Sequence, residues 1–172
     1  ANVMQEKMQN MWASKLGLEK FDFELSDELI NLMIDTKVDY TIFFRELSNI
    51  VDDISNIEKS FYANLENDIL KQRWNSWFEN WKVKINVNDE ESKQKLSNQM
   101  KLINPKYTLR EWHLVWAYKE AEKGNYKPIK ELQEIMTNPY SEQTKEIEEK
   151  YYTKKPKDFF GIAGISHVSC SS

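Results

Sequence analysis

The chain has 172 residues, which is enough for one domain with a core of its own or for two very small domains. Hydrophobic residues make up 40% of it and charged residues 30%, a balance that is typical of a soluble globular domain and not of a disordered chain. The formal net charge of −4 disfavours a general polyanion-binding surface, so we expect no nucleic-acid partner.

The sequence also disfavours membrane insertion and secretion. No apolar run approaches the length that spans a bilayer, and the first stretch, ANVMQEKMQNMW, lacks the basic and apolar regions of a secretory signal. The single cysteine excludes an internal disulfide framework, which fits a reducing compartment. We therefore expect an intracellular protein with no membrane partner. We also expect a fragment, because the first residue is alanine and a helical pattern begins almost at once.

The first part of the chain has the apolar spacing of three helices. Glycine is a natural helix end, and serine or aspartate is a preferred N-cap. In chain order we predict a helix over residues 3–16 ended by Gly17, a helix capped by Ser26, a helix capped by Asp39, and a loop or short helical turn over residues 55–63.

A fourth helix, over about residues 66–86, contains the stretch RWNSWFENWKVK. Its mixture of aromatic and basic residues is typical of proteins that bind single-stranded nucleic acids. However, Trp74, Trp77 and Trp81 recur at i, i+3 and i+7, a spacing that places them on one helix face. Core packing is therefore the favoured interpretation.

The second part of the chain also favours helices. The stretch WHLVWAY is apolar nearly all round, which predicts that its helix is the most buried and that Trp112 and Trp116 lie in the core. In chain order we predict a fifth helix capped by Asn88, a sixth opened by the capping box that starts at Thr108, a seventh started by Pro128, and a helix or charged linker over residues 141–155.

These patterns predict an all-α fold, with no convincing strand pair. We expect a single bundle-like α-helical domain over residues 1–155. Residues 156–172 lack helical spacing and are expected to form an irregular tail that carries Cys170. Within that tail, DFFGIAG is similar to the metal-binding Asp-Phe-Gly of protein kinases but has an extra Phe, so aromatic anchoring of the tail is the favoured interpretation.

The residues alone predict no catalytic, cofactor-binding or metal site in this chain. His113, His167 and Cys170 offer at most three nitrogen or sulfur ligands, whereas a structural zinc site takes four. The acidic stretch NVNDEE lacks the glycine of a calcium loop, and Asp52 with Asp53 is typical of a solvated turn. Two histidines without a Gly-x-Ser-x-Gly motif do not support a catalytic triad.

Cys170 has no cysteine partner within its own chain and is followed only by Ser171 and Ser172. From the residues alone it is an inert thiol, a reactive thiol, or one half of a pair whose other half lies elsewhere. His167 is the only nearby group that could lower its pKa.

Several short blocks, in order along the chain, resemble one family. They are KLGL (15–18), DYTIFFRELS (39–48), Asn-Pro-Lys (104–106), Leu-Arg (109–110), Ala-Glu-x-Gly-Asn (121–125), Asn-Pro-Tyr (138–140) and the terminal SCSS. Together these blocks resemble the C-terminal part of the selenoprotein O family, also called SelO or YdiU.

The resemblance implies the end of a protein-kinase-like C-lobe followed by a C-terminal helical extension. It implies a full-length protein that transfers AMP from ATP, with Mg²⁺, to hydroxyl side chains of protein substrates. The family's nucleotide- and metal-binding residues precede the blocks matched here, so this chain would partner a missing N-terminal catalytic region and would bind neither ATP nor Mg²⁺ itself. The implied compartment is the bacterial cytoplasm or the mitochondrion.

The resemblance also implies a role for Cys170, because the family places cysteine or selenocysteine at that position. We expect a redox-sensitive, regulatory thiol that pairs with a cysteine of the missing catalytic region. A different class of protein stays open beside this one, namely a free-standing all-α interaction module without chemistry. A kinase-like segment encoded upstream would distinguish the first from the second.

Overall fold

The structure, a computed structural model, describes residues 2–160, and these fall into two compact units divided between Pro105 and Lys106. Within that range the fold is all-helical, as predicted. The α-helices are α1 (Asn2–Leu16), α2 (Phe23–Thr36), α3 (Tyr40–Leu47), α4 (Asp68–Ile85), α5 (Glu90–Ile103), α6 (Glu111–Glu122), α7 (Lys127–Thr137) and α8 (Lys145–Tyr151). Two 3₁₀ segments, Ile54–Ser60 and Lys157–Phe159, complete the list. The prediction of a single domain over residues 1–155 stays a prediction.

Side-chain caps set most helix starts. The carboxylate of Asp39 accepts a hydrogen bond from the Ile42 amide at 3.0 Å, so the predicted cap of the third helix is confirmed. Such a cap satisfies an amide that has no partner inside the helix, and a carboxylate there also complements the helix dipole.

Three predicted caps are wrong. Asp22 and not Ser26 caps α2, and Asp89 and not Asn88 caps α5, because in each case a carboxylate reaches an amide of the first turn. The capping box at Thr108 does not form. The amides of Lys106 and Tyr107 both bind the Pro139 carbonyl, and the backbone stays extended until α6 begins after Arg110. Ser26 is instead buried inside α2.

The core of the first unit is built on the aromatic face of α4. Trp74, Trp77 and Trp81 are all buried, as predicted, and the rings of Trp77 and Trp81 are stacked with their centroids 6.0 Å apart. Phe43 of α3 packs on Trp74 at 5.5 Å. α4 lies against α2, while α1 packs on α3 and α5. Burial of these large rings is the main apolar contribution to the core.

In the second unit, α6 packs against α7. The prediction that α6 is the most buried helix is wrong, because only His113 and Ala117 of that helix are buried. Trp112 is half-buried and Trp116 is 37% exposed, so the predicted burial of these two tryptophans is wrong as well. An apolar stretch is buried throughout only if other elements cover every side of its helix, and the exposure of Trp116 and Tyr118 shows that one side of α6 is not covered by the described residues.

The residues after Pro156 begin with the short 3₁₀ segment, where an irregular tail was expected. Phe160 is exposed beneath the Lys155 ammonium, which lies 5.3 Å from the ring centroid. The rest of the predicted tail, residues 161–172, lies outside the described range. Among residues 2–160, no helix is both long enough and apolar enough to cross a bilayer.

Candidate functional site

A buried hydrogen-bond network joins the ends of α1, α3 and α5 in the first unit. The Lys15 ammonium donates to Oδ1 of Asn104 at 2.8 Å, and Nδ2 of Asn104 donates back to the Lys15 carbonyl at 2.9 Å. Nδ2 also donates to Oγ of Ser48 at 3.0 Å. Asn104 is completely buried and is the centre of the network, which therefore ties together residues distant in sequence.

Local sequence places these groups. Asn104 follows the last residue of α5 because Pro105 comes next and disfavours helical backbone in the residue before it. α1 ends after Leu16 because Gly17 adopts φ +69°, a left-handed conformation that glycine takes without strain. A Cβ on Gly17 would lie 2.7 Å from Sδ of Met100, so a larger residue there would displace the Met100 side chain and would also strain the left-handed backbone.

Arg45 contributes a second cation to the network. It is buried, and its Nη1 donates to the carbonyls of Lys101 and Asn104, both at 3.1 Å. These carbonyls lie at the C-terminal end of α5, where the helix dipole favours a positive charge. Arg45 therefore holds the end of α5 in place.

The Lys15 ammonium lies in mostly aromatic surroundings. Its ammonium lies 4.5 Å from the Phe44 ring centroid and 5.1 Å from that of Tyr40. Burial lowers the pKa of Lys15 to about 8, because removal from water disfavours the charged form. The aromatic faces and the Asn104 oxygen only partly replace the lost hydration.

A second cluster lies in the other unit and centres on Lys106. Its ammonium binds Glu142 and Glu148, and it lies 5.1 Å from the Tyr152 ring centroid. Burial by itself would lower the pKa of Lys106, but the hydrogen bonds to the two carboxylates outweigh burial and the net pKa is raised. With the amide contacts to Pro139, this cluster connects the Asn-Pro-Lys block to the Asn-Pro-Tyr block.

The third cluster surrounds His113. The imidazole is buried, its ring lies edge-on to Tyr151 at 5.1 Å, and its Nδ1 has no hydrogen-bond partner among the described residues. The Tyr151 hydroxyl donates to Glu131 at 2.8 Å. Burial, with a smaller effect of the Arg110 and Lys150 charges, lowers the pKa of His113 to about 4. His113 is therefore neutral near pH 7 and packs as a core residue.

One polar groove of the first unit is unsuited to a nucleotide. A groove of about 500 Å³ between α2 and α4 is lined by Glu24, Glu28 and Arg73, among others. The Arg73 guanidinium already donates to Glu28 at 2.9 Å and to Asp35 at 2.8 Å. Because two carboxylates neutralise this cation, the groove offers phosphate no net positive field.

None of the three clusters has the composition of an active site. The lysine and arginine side chains of these clusters contact carbonyl oxygens, a side-chain amide, aromatic rings and carboxylates of the same chain. Within residues 2–160, no three His, Cys, Asp or Glu side chains converge on a possible metal position. The sequence-predicted residue Cys170 and its neighbour His167 lie outside the described range. Lys15, Arg45 and Asn104 were not predicted as site residues. All three lie in family-like blocks, and their shared membership in those blocks is the signal that could have identified them.

Comparison with known proteins agrees with these blocks. The sequence profile described as "Protein adenylyltransferase SelO" matches residues 1–137. A protein of Tolumonas auensis named "Protein nucleotidyltransferase YdiU" is 32% identical over 177 residues, covering 97% of this chain and 33% of that protein. Proteins of the same name from Aromatoleum aromaticum and Flavobacterium johnsoniae are 31% and 34% identical, covering 100% and 94% of this chain and 34% and 32% of theirs.

The chain thus spans about one third of the length of the curated relatives that it matches. The profile match extends over most of the chain, and the relatives are similar along nearly all of it. The resemblance that the sequence blocks indicated is therefore confirmed: the chain belongs to the protein adenylyltransferase SelO family.

Proposed function

We propose that this chain is the C-terminal helical region of a protein adenylyltransferase about three times its length, and that its own role is structural and regulatory. In the longer protein, a Ser, Thr or Tyr hydroxyl oxygen of a protein substrate attacks the α-phosphorus of ATP. The bond between the α- and β-phosphates breaks, pyrophosphate leaves with Mg²⁺ balancing its charge, and the hydroxyl proton passes to a base. ATP, Mg²⁺ and that base belong to the part of the protein outside this chain.

The Lys15–Asn104–Arg45 network carries this proposal. Residues of three family-like blocks meet there, and every one of them is buried and hydrogen-bonded to helix ends. Buried groups with satisfied partners hold a scaffold in place and do not reach a substrate. This favours a buttress for a neighbouring catalytic region over an independent enzyme.

An AMP-transfer assay tests the proposal. This chain and the longer gene product that contains it are incubated separately with Mg²⁺, a mixture of acceptor proteins and ATP labelled at the α-phosphate. We expect labelled protein only with the longer product, and negligible ATP binding by this chain in calorimetry. Transfer by this chain alone, or its micromolar binding of ATP, would place the active site here. No transfer by the longer product would refute the activity.

Cys170 supplies the regulatory part of the proposal. We infer that its thiol and a thiol of the catalytic region are oxidised together to a disulfide. A cellular disulfide of the glutathione class accepts the two electrons and is reduced to two thiols. Such control suits a reducing compartment, the bacterial cytoplasm or the mitochondrion, where the bridge is reversible.

The Cys170 pairing has its own test. Mass spectrometry of the non-reduced longer product, after mild oxidation with a glutathione redox buffer, is compared between the wild type and Cys170→Ser. We expect one intramolecular bridge that contains Cys170 and is lost in the variant, with a matching loss of redox-dependent activity. If wild-type Cys170 stays free under these conditions, the thiol is passive.

A further inference from the structure

Among the described residues, helix α1 is packed only at its C-terminal end. Its buried residues are Ala13, Lys15 and Leu16. The turns before them are exposed, and they carry Met4, Met8 and Met11 at 80%, 53% and 46% exposure. We refer to these three methionines as the methionine stripe. An exposed run of large apolar side chains along one helix is unusual for a surface that stays in water.

The methionine stripe lies on the face of α1 that is buried further along. Positions 4, 8, 11 and 15 are spaced by four, three and four residues, so their side chains follow one another down one side of a helix. Lys15, the last of them, is buried over the rings of Phe44 and Tyr40. Trp12, on the neighbouring side, packs edge-on against Phe44 at 5.8 Å. The stripe therefore continues a face that already forms a core contact.

Few tertiary contacts within the described residues stabilise the exposed part of α1. Residues 2–160 provide no tertiary cover for about three turns of this helix, and isolated helices shorter than about 12–15 residues are marginal in water. Within unit 1, α3 and α5 contact α1, and the buried residues show that they cover its C-terminal end. Cover on the stripe from another apolar surface would both bury the methionines and fix the helix.

We propose that the methionine stripe is the docking surface for an apolar surface on the part of the longer family protein that this chain lacks. The proposal rests on the proposed function, because it requires that longer protein. Two observations identify this occupant: the chain accounts for one third of its relatives' length, and the stripe is continuous with an intramolecular core face. The stripe carries no charge, so its occupant presents aliphatic or aromatic side chains, to which flexible methionines adapt readily.

Methionine oxidation provides the first test. This chain and the longer gene product are exposed to peroxide, and oxidation of each methionine is followed by mass spectrometry. The buried Met33 and Met100 are internal controls that react slowly in both proteins. In the longer product we expect the methionine stripe to oxidise on the order of tenfold more slowly than in this chain, because a covered side chain reacts only after local opening. Equal rates in the two proteins would overturn the proposal.

A set of matched variants provides the second test. The variant Met4→Gln/Met8→Gln/Met11→Gln keeps residues of similar helix propensity but removes the apolar stripe. The control Asn2→Gln/Glu6→Gln/Asn10→Gln alters the opposite side of α1. We expect the first variant to lower the melting temperature of the longer product and to leave that of this chain unchanged, and the control to change neither. An unchanged melting temperature of the longer product would overturn the proposal.

The outcomes separate this proposal from the proposed function. If the longer product protects the methionine stripe from oxidation but transfers no AMP, the activity is refuted and the docking surface is retained. If it transfers AMP but its stripe is oxidised as fast as in this chain, the docking surface is refuted and the activity is retained. Protection that appears in this chain and increases with its concentration would instead identify a second copy as the occupant, and would overturn the proposal.

Discussion

Lys15 and Asn104 bind each other in both directions across 89 residues of sequence. The lysine ammonium donates to the asparagine side-chain oxygen, and the asparagine side-chain nitrogen donates to the lysine carbonyl. Asn104 thus satisfies a buried cation and a helix-terminal carbonyl at once, which no apolar residue of the same size could do. The free energy of unfolding of the first unit should depend strongly on this side chain.

The first prediction concerns Asn104→Ala. We expect it to lower the free energy of unfolding by about 2–4 kcal/mol, because it leaves Lys15 and Ser48 without their buried partner. Urea unfolding measures the change. The control Asn98→Ala alters an exposed asparagine on the same helix and should change stability by less than about 0.5 kcal/mol. Equal effects of the two variants would show that the network contributes nothing.

The second prediction concerns the pH dependence that Lys15 confers. Its pKa is about 8 in the folded state and 10.5 in the reference state. Between these values only the unfolded chain binds the proton, so the stability of the first unit should rise with pH, by a total on the order of 3 kcal/mol. Below pH 8 both states are protonated and this contribution is flat.

Denaturant unfolding at pH 7.5 and pH 10 measures this rise. In Lys15→Met we expect most of this increase in the free energy of unfolding to be lost. Lys20→Met alters an exposed lysine and should show the same increase as the wild type. Parallel pH profiles for the wild type and Lys15→Met would contradict the prediction.

The third prediction compares two buried tryptophans. Nε1 of Trp81 donates to the Leu16 carbonyl at 2.8 Å, whereas Nε1 of Trp74 has no hydrogen-bond partner among the described residues. Both rings are completely buried, so Trp→Phe removes similar volume at each. We expect Trp81→Phe to cost about 1–2 kcal/mol more than Trp74→Phe, because only the former leaves a buried carbonyl unpaired. Urea unfolding decides, and equal costs would disprove the role of this bond.

The fourth prediction concerns His113 and acid. The pKa of His113 is about 4 in the folded state and 6.5 in the reference state, so the unfolded chain binds a proton first as the pH falls. The second unit should therefore lose stability below pH 6.5, by about 2 kcal/mol at pH 5. Amide exchange of α6 at pH 7 and pH 5 measures the loss. His113→Leu should be less sensitive to this change, and a variant as sensitive as the wild type would contradict the prediction.

Local sequence determined the helical class, some of the helix ends and the aromatic core of the first unit. The spacing of Trp74, Trp77 and Trp81 was sufficient to predict their burial, because a 3.6-residue period places these positions on one face whatever the partner is. The cap at Asp39 and the end at Gly17 were likewise predictable, because capping and left-handed backbone depend on the residue at that position. The ordered blocks identified the family without any coordinates.

The sequence did not predict which of two possible N-caps starts a helix, nor whether a side chain is covered by a neighbouring helix. Ser26 and Asp22 are both good N-caps, and the choice of Asp22 lets Leu25 and Leu29 face the core. Whether Trp116 is buried could not be predicted from its own helix, because a tryptophan is buried only if another element covers it, and in the structure Trp116 is 37% exposed.

The chain by itself thus determined which residues form helices, which aromatic residues share a face and which family the blocks indicate, because these properties depend on neighbours within a few positions or on residue identity. Only the tertiary structure revealed that Lys15, Arg45 and Asn104 share one buried network and that the methionine stripe lies uncovered. Hydrogen bonds between residues 59 or 89 positions apart depend on how helices pack, and packing is decided by the whole core rather than by any one segment.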